Sequence, residues 1–82
     1  MRLTPEEVKQ RILKVLRRFE RPAGATQIGE LLRGWGVDLS ERSIRLYLLQ
    51  LDREGFTQLV SRRAGRVLTD KGRTELEQAN VL

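Results

Sequence analysis

The sequence predicts a mainly α-helical domain that carries one small β-hairpin. Three segments repeat apolar residues at helical spacing behind residues that favour helix starts. A short stretch after Gly55 instead combines β-branched and aromatic residues with a glycine-containing turn. The chain has 82 residues, 39% of them hydrophobic, which suits one small domain. We therefore expect residues 1–82 to fold around a single core.

The first helix is predicted at about residues 5–19. Thr4 is a good N-cap, Pro5 suits the first helical position, and Glu7 completes a capping box. The helix carries a basic side opposite its apolar side. Side-chain pairs four residues apart and solubility explain this basic side. The apolar residues are Val8, Ile12, Val15, Leu16 and Phe19, and the basic residues are Lys9, Arg11, Lys14, Arg17 and Arg18.

A second helix is predicted at about residues 25–34. Gly29 lies inside it, and because a mid-helix glycine is unfavourable it predicts close approach of another helix. The run Gly34-Trp35-Gly36 ends the helix. Its narrow apolar stripe consists of Ile28, Leu31, Leu32 and Trp35.

A third helix is predicted at about residues 41–54. Ser40 is its N-cap, and Gly55 is a natural C-terminal cap. One of its faces is apolar and predicts contact with the core. That face carries Ile44, Tyr47, Leu48 and Leu51, whereas Arg42, Arg45, Leu46, Leu49 and Arg53 point away from it.

The hairpin is predicted at about residues 57–69, with a basic tip. Apolar and β-branched residues flank the turn Arg62-Arg63-Ala64-Gly65-Arg66. Thr69 or Asp70 then caps a last helix at about residues 70–79, with Leu76 as its core residue.

The composition excludes several classes of function. The chain contains no Cys and no His, which excludes disulfides, zinc sites of Cys or His, and thiol or imidazole catalysis. Its carboxylates include no pair in an apolar setting, so we expect no enzyme and no cofactor. No apolar run approaches the ~18 residues of a membrane helix, and the first residues are too polar for a signal peptide. We expect a soluble, cytoplasmic protein without membrane contact.

The charge distribution points to nucleic acid. Sixteen basic residues oppose 11 acidic ones, for a net charge of +5. Most of the basic residues are Arg, whose planar fork fits phosphate groups and guanine edges. The excess is concentrated in residues 1–21 and 40–66. The second of these segments joins the third helix to the hairpin tip.

The order of elements predicts a winged helix-turn-helix. Two helices joined by a tight turn precede a hairpin, and the second of them can lie in a DNA major groove. The hairpin, or wing, can then reach the flanking backbone or the minor groove. The basic segment 40–66 therefore falls on the two elements that would face DNA.

Residues 11–72 resemble the winged-helix domain of archaeal nitrogen-repressor (NrpR-type) regulators, which is related to a domain at the N-terminus of some ribonuclease R proteins. Two segments that are specific when found together carry the resemblance, Leu39-Ser40-Glu41-Arg42 and Leu51-Asp52-Arg53-Glu54-Gly55. Further matches are Arg11-Ile12-Leu13, Pro22-Ala23-Gly24-Ala25, Ile28-Gly29-Glu30-Leu31-Leu32 and Gly65-Arg66-Val67-Leu68-Thr69-Asp70-Lys71-Gly72. The resemblance implies a DNA-binding domain of a prokaryotic transcription regulator, of the repressor type.

The chain departs from this family in two respects. Leu46 and Leu49 stand where the third helix of the family looks more polar. Two Leu residues on an outward face suggest contact with a partner, with another domain or with thymine methyl groups. Full-length regulators of the family also carry large effector-binding domains, which this chain lacks.

Ten residues are candidates for DNA contact. The start of the third helix offers contacts to base edges and phosphates, and the hairpin turn offers contacts to phosphate or the minor groove. The start of the second helix can hold a phosphate on its free N–H groups. The candidates are Thr26, Gln27, Ser40, Arg42, Ser43, Arg45, Leu46, Arg62, Arg63 and Arg66.

The expected partner is double-stranded DNA. Because one small domain offers a small interface, we expect a homodimer or attachment to a C-terminal effector domain. Two alternatives stay open. An RNA-associated winged helix would use the same arginines on phosphates, since the major groove of A-form RNA is too narrow for a helix. A protein-interaction winged helix would use Leu46 and Leu49.

Overall fold

The structure is a computed structural model that describes residues 3–79. Two strands form one antiparallel hairpin, which follows three helices and precedes a fourth. The elements are α1 (Pro5–Arg18), α2 (Ala25–Gly34), α3 (Glu41–Glu54), β1 (Thr57–Ser61), β2 (Gly65–Leu68) and α4 (Asp70–Ala79). The fold class expected from the sequence, mainly α with a small hairpin, is confirmed. Within residues 3–79, no helix is long and apolar enough to cross a membrane.

Local hydrogen bonds set the helix ends. Thr4 Oγ1 accepts from the N–H of Glu7 at 3.2 Å, and Glu7 Oε1 accepts from the N–H of Thr4 at 3.0 Å. This is the capping box that the sequence predicts. At the start of α4, Thr69 Oγ1 accepts from the N–H of Gly72 at 3.0 Å, so Thr69 is the cap. The first helix ends at Arg18, one residue before the predicted boundary.

The core lies where α1, α2 and α3 meet, and it is closed by the hairpin and α4. A Cβ atom added at Gly29 of α2 would lie 3.1 Å from Ile44 Cδ1 of α3. This contact explains the mid-helix glycine by close approach of α3. The largest fully buried side chains are Ile12, Leu13, Val15, Ile28, Leu32, Ile44, Leu48, Leu51 and Leu76.

An ion pair joins α1 to α3. Lys9 Nζ lies 2.8 Å from Glu54 Oε1, and the Lys9 side chain is only 13% exposed. This hydrogen bond to Glu54 raises the pKa of Lys9 above its ordinary value. The expectation that Lys9 belongs to a solvated basic side was therefore wrong, because the start of α1 lies against the end of α3.

The hairpin is attached to the segment that precedes α2. Ala23 donates its N–H to the Arg66 carbonyl at 3.0 Å, and Arg66 donates its N–H to the Ala23 carbonyl at 2.9 Å. The neighbouring Gly65 has a φ of +99°, and a Cβ atom there would lie 2.2 Å from the Ala23 carbonyl oxygen. The pairing therefore requires glycine at this position.

We expect Gly65→Ala to lower the free energy of unfolding by about 2 kcal/mol or more, because it combines strained backbone with a clash. Gly34→Ala is the matched control. A Cβ atom at Gly34 would meet nothing within 4 Å, and its φ is not in the left-handed region. The control should be neutral or stabilising by up to about 1 kcal/mol. Urea denaturation followed by circular dichroism measures both, and equal stability of the two variants would contradict the assignment.

Candidate nucleic-acid interface

The outward face of α3 carries a stripe of two arginines and two leucines. Arg42, Leu46, Leu49 and Arg53 follow one another at intervals of four, three and four residues, and all four are exposed. Helical geometry puts them on one side, opposite the buried residues of the same helix. Leu46 is 53% exposed and Leu49 is 48% exposed. We call these four residues the α3 stripe.

A groove separates the start of α2 from the hairpin. Its volume is about 650 Å³, and Arg45 of α3 also lines it. It brings together six of the ten residues that the sequence predicts for DNA contact. These six are Thr26, Gln27, Arg45, Arg62, Arg63 and Arg66.

At the start of α2, backbone N–H groups face this groove, whereas the side chains there are already hydrogen-bonded. Its N-cap is Gly24, which has no side chain to accept from the N–H groups of the first turn. Gln27 Oε1 already accepts from the Gly24 N–H at 2.7 Å. The Thr26 hydroxyl donates to the carboxylate of Glu41 at the start of α3. The N–H groups and the partial positive charge of the helix end are therefore what an anion would meet.

Arg66 differs from the other arginines of the hairpin. It lies in β2 opposite Leu59, and its Nε donates to the two carboxylate oxygens of Asp52 at 2.9 and 3.1 Å. The Arg66 side chain is 14% exposed. Arg62 and Arg63 lie in the turn and are exposed. The three arginines that surround the predicted turn thus differ, because Arg62 and Arg63 lie in it and Arg66 is paired with Asp52 from β2.

Asp52 is the residue that the sequence reasoning missed. Besides Arg66, it accepts a hydrogen bond from the buried Thr57 at 2.5 Å. It therefore fixes β1 and β2 against the end of α3. Two features of the sequence point to this pairing. Asp52 is an acidic residue in the basic segment 40–66. Arg66 lies on the same face of β2 as the buried Leu68.

The other predicted contacts lie around α3. Ser40 Oγ accepts from the N–H of Ser43 at 3.1 Å and donates to the Ser43 hydroxyl at 3.1 Å. Ser40 therefore caps α3, as predicted. Ser43 and Leu46 line a shallow hollow of about 280 Å³ beside α1, and Arg42 is exposed. Within residues 3–79 no acidic residues cluster as metal ligands would.

Comparison with known proteins identifies one matching family and several similar regulators. The family model described as ribonuclease R winged-helix domain matches residues 10–76. The chain is 40% identical over 70 residues to the global nitrogen regulator NrpRI of Methanosarcina mazei. It is 39% identical over 70 residues to the global nitrogen regulator NrpR of Methanococcus maripaludis. No solved structure gives a significant match.

These similarities concern a small part of each relative. Both alignments cover 85% of this chain, but only 21% of the Methanosarcina protein and 13% of the Methanococcus protein. The chain thus spans about a fifth or less of the regulators it matches.

We expect Asp52→Ala to destabilise the domain by about 1–3 kcal/mol, because it leaves Thr57 and Arg66 without their acceptor in a half-buried site. Asp38→Ala is the control, since Asp38 is exposed and forms no ion pair among residues 3–79. Thermal unfolding measures the difference. A variant at Asp52 as stable as the control would show that the carboxylate does not hold the hairpin.

Proposed function

The chain belongs to the ribonuclease R winged-helix domain family, and from this premise we propose that it is a DNA-binding domain of a transcription regulator. The relatives it matches are named global nitrogen regulators. The observation that carries the proposal is the groove in which the start of α2, Arg45 and the hairpin arginines converge beside the α3 stripe.

In this proposal α3 lies in the major groove of DNA. Arg42 at one end of the α3 stripe contacts a phosphate or a guanine edge, which a guanidinium can bind through two hydrogen bonds. Leu46 meets the methyl group of a thymine, since it is exposed and has no polar atom to offer a base edge. Ser40 and Ser43 lie at the start of the helix, where side chains reach bases and backbone.

The second part of the contact involves the groove. One phosphate is held by the N–H groups at the start of α2, beside the Arg45 guanidinium. Arg62 and Arg63 reach the flanking backbone or the minor groove from the hairpin turn. Arg66 has a different role, because its Asp52 partner takes up part of its hydrogen-bonding capacity. It positions the hairpin so that the two tip arginines can reach DNA.

In this proposal, specific binding uses a second copy of the domain. A single module of this kind covers about 600–1,000 Å² of protein surface on DNA, at the small end of specific interfaces. Two copies on a symmetric site would double the contact. We therefore propose a homodimer, formed directly or through an attached effector domain.

We expect the protein to bind duplex DNA more tightly than duplex RNA, because only the DNA major groove admits α3. Arg42→Ala/Arg45→Ala and Arg62→Ala/Arg63→Ala should each weaken binding at least tenfold, if each pair supplies at least 1.4 kcal/mol. Fluorescence anisotropy of a labelled random duplex at two salt concentrations measures this.

Glu77→Ala/Gln78→Ala on α4 is the control, because it alters two exposed residues of another element. Unchanged affinity in both arginine variants would overturn the proposal. Equal binding of RNA and DNA would favour the RNA-associated alternative.

The exposure of Leu46 and Leu49 favours a second candidate, a protein-interaction surface on α3. Leu46→Ala/Leu49→Ala separates the two functions. If α3 reads DNA, this variant binds a thymine-containing duplex several-fold more weakly, and replacing thymine by uracil weakens the unaltered protein but not the variant. If α3 binds protein, DNA affinity is kept and the molar mass measured by light scattering falls.

A further inference from the structure

A second basic surface lies on the far side of the domain, at the other end of α2. Trp35 follows the last residue of this helix and is 40% exposed. Together with Lys14, Arg17 and Arg18 of α1 it lines a hollow of about 330 Å³. We propose that this hollow, the Trp35 site, binds single-stranded nucleic acid independently of α3 and the hairpin.

The three cations of the Trp35 site are available to an anionic ligand. Among residues 3–79, the basic partners in ion pairs are Lys9, Arg66 and Arg73, and none of the three cations of the site has a carboxylate within 4.0 Å. Within the described part of the chain, no carboxylate therefore relieves their mutual repulsion. A bound phosphate would relieve it.

Helix electrostatics account for only part of this arrangement. Arg17 and Arg18 occupy the last turn of α1, where positive charge stabilises the helix dipole. The dipole gives no reason for an exposed indole beside them. The exposed indole leaves a flat aromatic surface available to a ligand beside these cations.

The indole is accessible from a second side. Trp35 also lines a hollow of about 440 Å³ together with Arg11, Tyr47 and the acidic Asp38. This second hollow thus adds another aromatic ring, Tyr47, and another basic side chain, Arg11, next to Trp35. Aromatic rings beside basic side chains are the combination found in proteins that bind single strands.

The chemistry of the site selects the class of ligand. A flat indole stacks on an unpaired base, and guanidinium groups bind the adjoining phosphates through two hydrogen bonds. A base in a duplex is already stacked on its neighbours and cannot reach Trp35. An acidic peptide without aromatic residues would satisfy the cations but has no flat group to cover the indole.

The two basic surfaces lie at opposite ends of α2. The groove beside the hairpin is lined by the first residues of α2, and the Trp35 site begins directly after its last residue. A helix of 10 residues is about 15 Å long. The proposal places the single strand at the end of α2 and the duplex at its start and on α3.

Fluorescence tests the proposal directly, because Trp35 is the one tryptophan of the chain. An oligodeoxythymidylate of about eight nucleotides, within the usual site sizes, should quench this fluorescence, and an oligouridylate of equal length shows whether RNA is bound as well. With three phosphates neutralised, the logarithm of affinity should fall with the logarithm of salt concentration with a slope of about −2. No quenching by either strand at low salt would overturn the proposal.

Variants assign the effect to residues. Arg17→Ala/Arg18→Ala should make the salt slope about 1.4 less steep, since two cations are removed, and circular dichroism verifies that α1 is intact. Trp35→Leu, followed by anisotropy of a labelled strand, should lose about tenfold in affinity. Arg42→Ala/Arg45→Ala is the matched control, which removes two charges from the other surface and should leave the quenching unchanged.

Two results would contradict the assignment. Equal quenching by poly-glutamate would mean that the site binds any polyanion, without stacking. Loss of quenching in the Arg42/Arg45 control would mean that single strands bind at α3. Neither result bears on duplex binding, which is measured separately, so the DNA-binding proposal and this one can fail independently.

Discussion

The position of Arg66 is the constraint on which the candidate interface depends. Its backbone pairs with Ala23 in the segment before α2, and its side chain is held by Asp52 of α3. One residue thereby connects the hairpin to both helices of the helix-turn-helix. These two links add to the packing of Leu68 in the core, since a two-stranded ribbon alone is marginally stable in water. Gly65 is part of the same constraint, because it lets the two backbones approach.

The ion pair between Arg66 and Asp52 fixes the orientation of the hairpin more than it raises the free energy of unfolding. Taking Arg66 and Asp52 partly out of water has a cost that offsets much of their attraction. What the pair supplies is a fixed direction, because the Asp52 carboxylate also accepts from Thr57 in the opposite strand. It also removes one positive charge from a crowded region. Arg62 and Arg63 in the turn then stay free of internal partners among the described residues and extend from a rigid base.

The features that sequence reasoning found are those determined by residues close together in the chain. The start of α1 follows from Thr4 and Glu7, three residues apart, and the end of α3 follows from Gly55, whose φ of +85° few other residues adopt. The outward direction of Leu46 and Leu49 follows from helical periodicity, and both are exposed. These relations need no knowledge of the tertiary arrangement.

The features it missed join residues far apart. Lys9 and Glu54 are 45 positions apart, and no local pattern distinguishes Lys9 from the other basic residues of α1. The pairing of Ala23 with Arg66 depends on how two loops approach each other. For the candidate site the same limit applies. The hairpin arginines could be found from their turn, but the separate role of Arg66 required the register in which it faces Leu59.

The helix dipoles imply that the two basic surfaces hold anions by different means. At the start of α2 the backbone itself contributes, since its N–H groups and partial positive charge face the groove. At the Trp35 site, α1 and α2 both end nearby, so their dipoles present partial negative charge to an incoming phosphate. Side-chain cations must first offset that charge before they attract a ligand. An anion at the Trp35 site would therefore depend on Lys14, Arg17 and Arg18 together, whereas the α2 start can bind a phosphate with fewer cations.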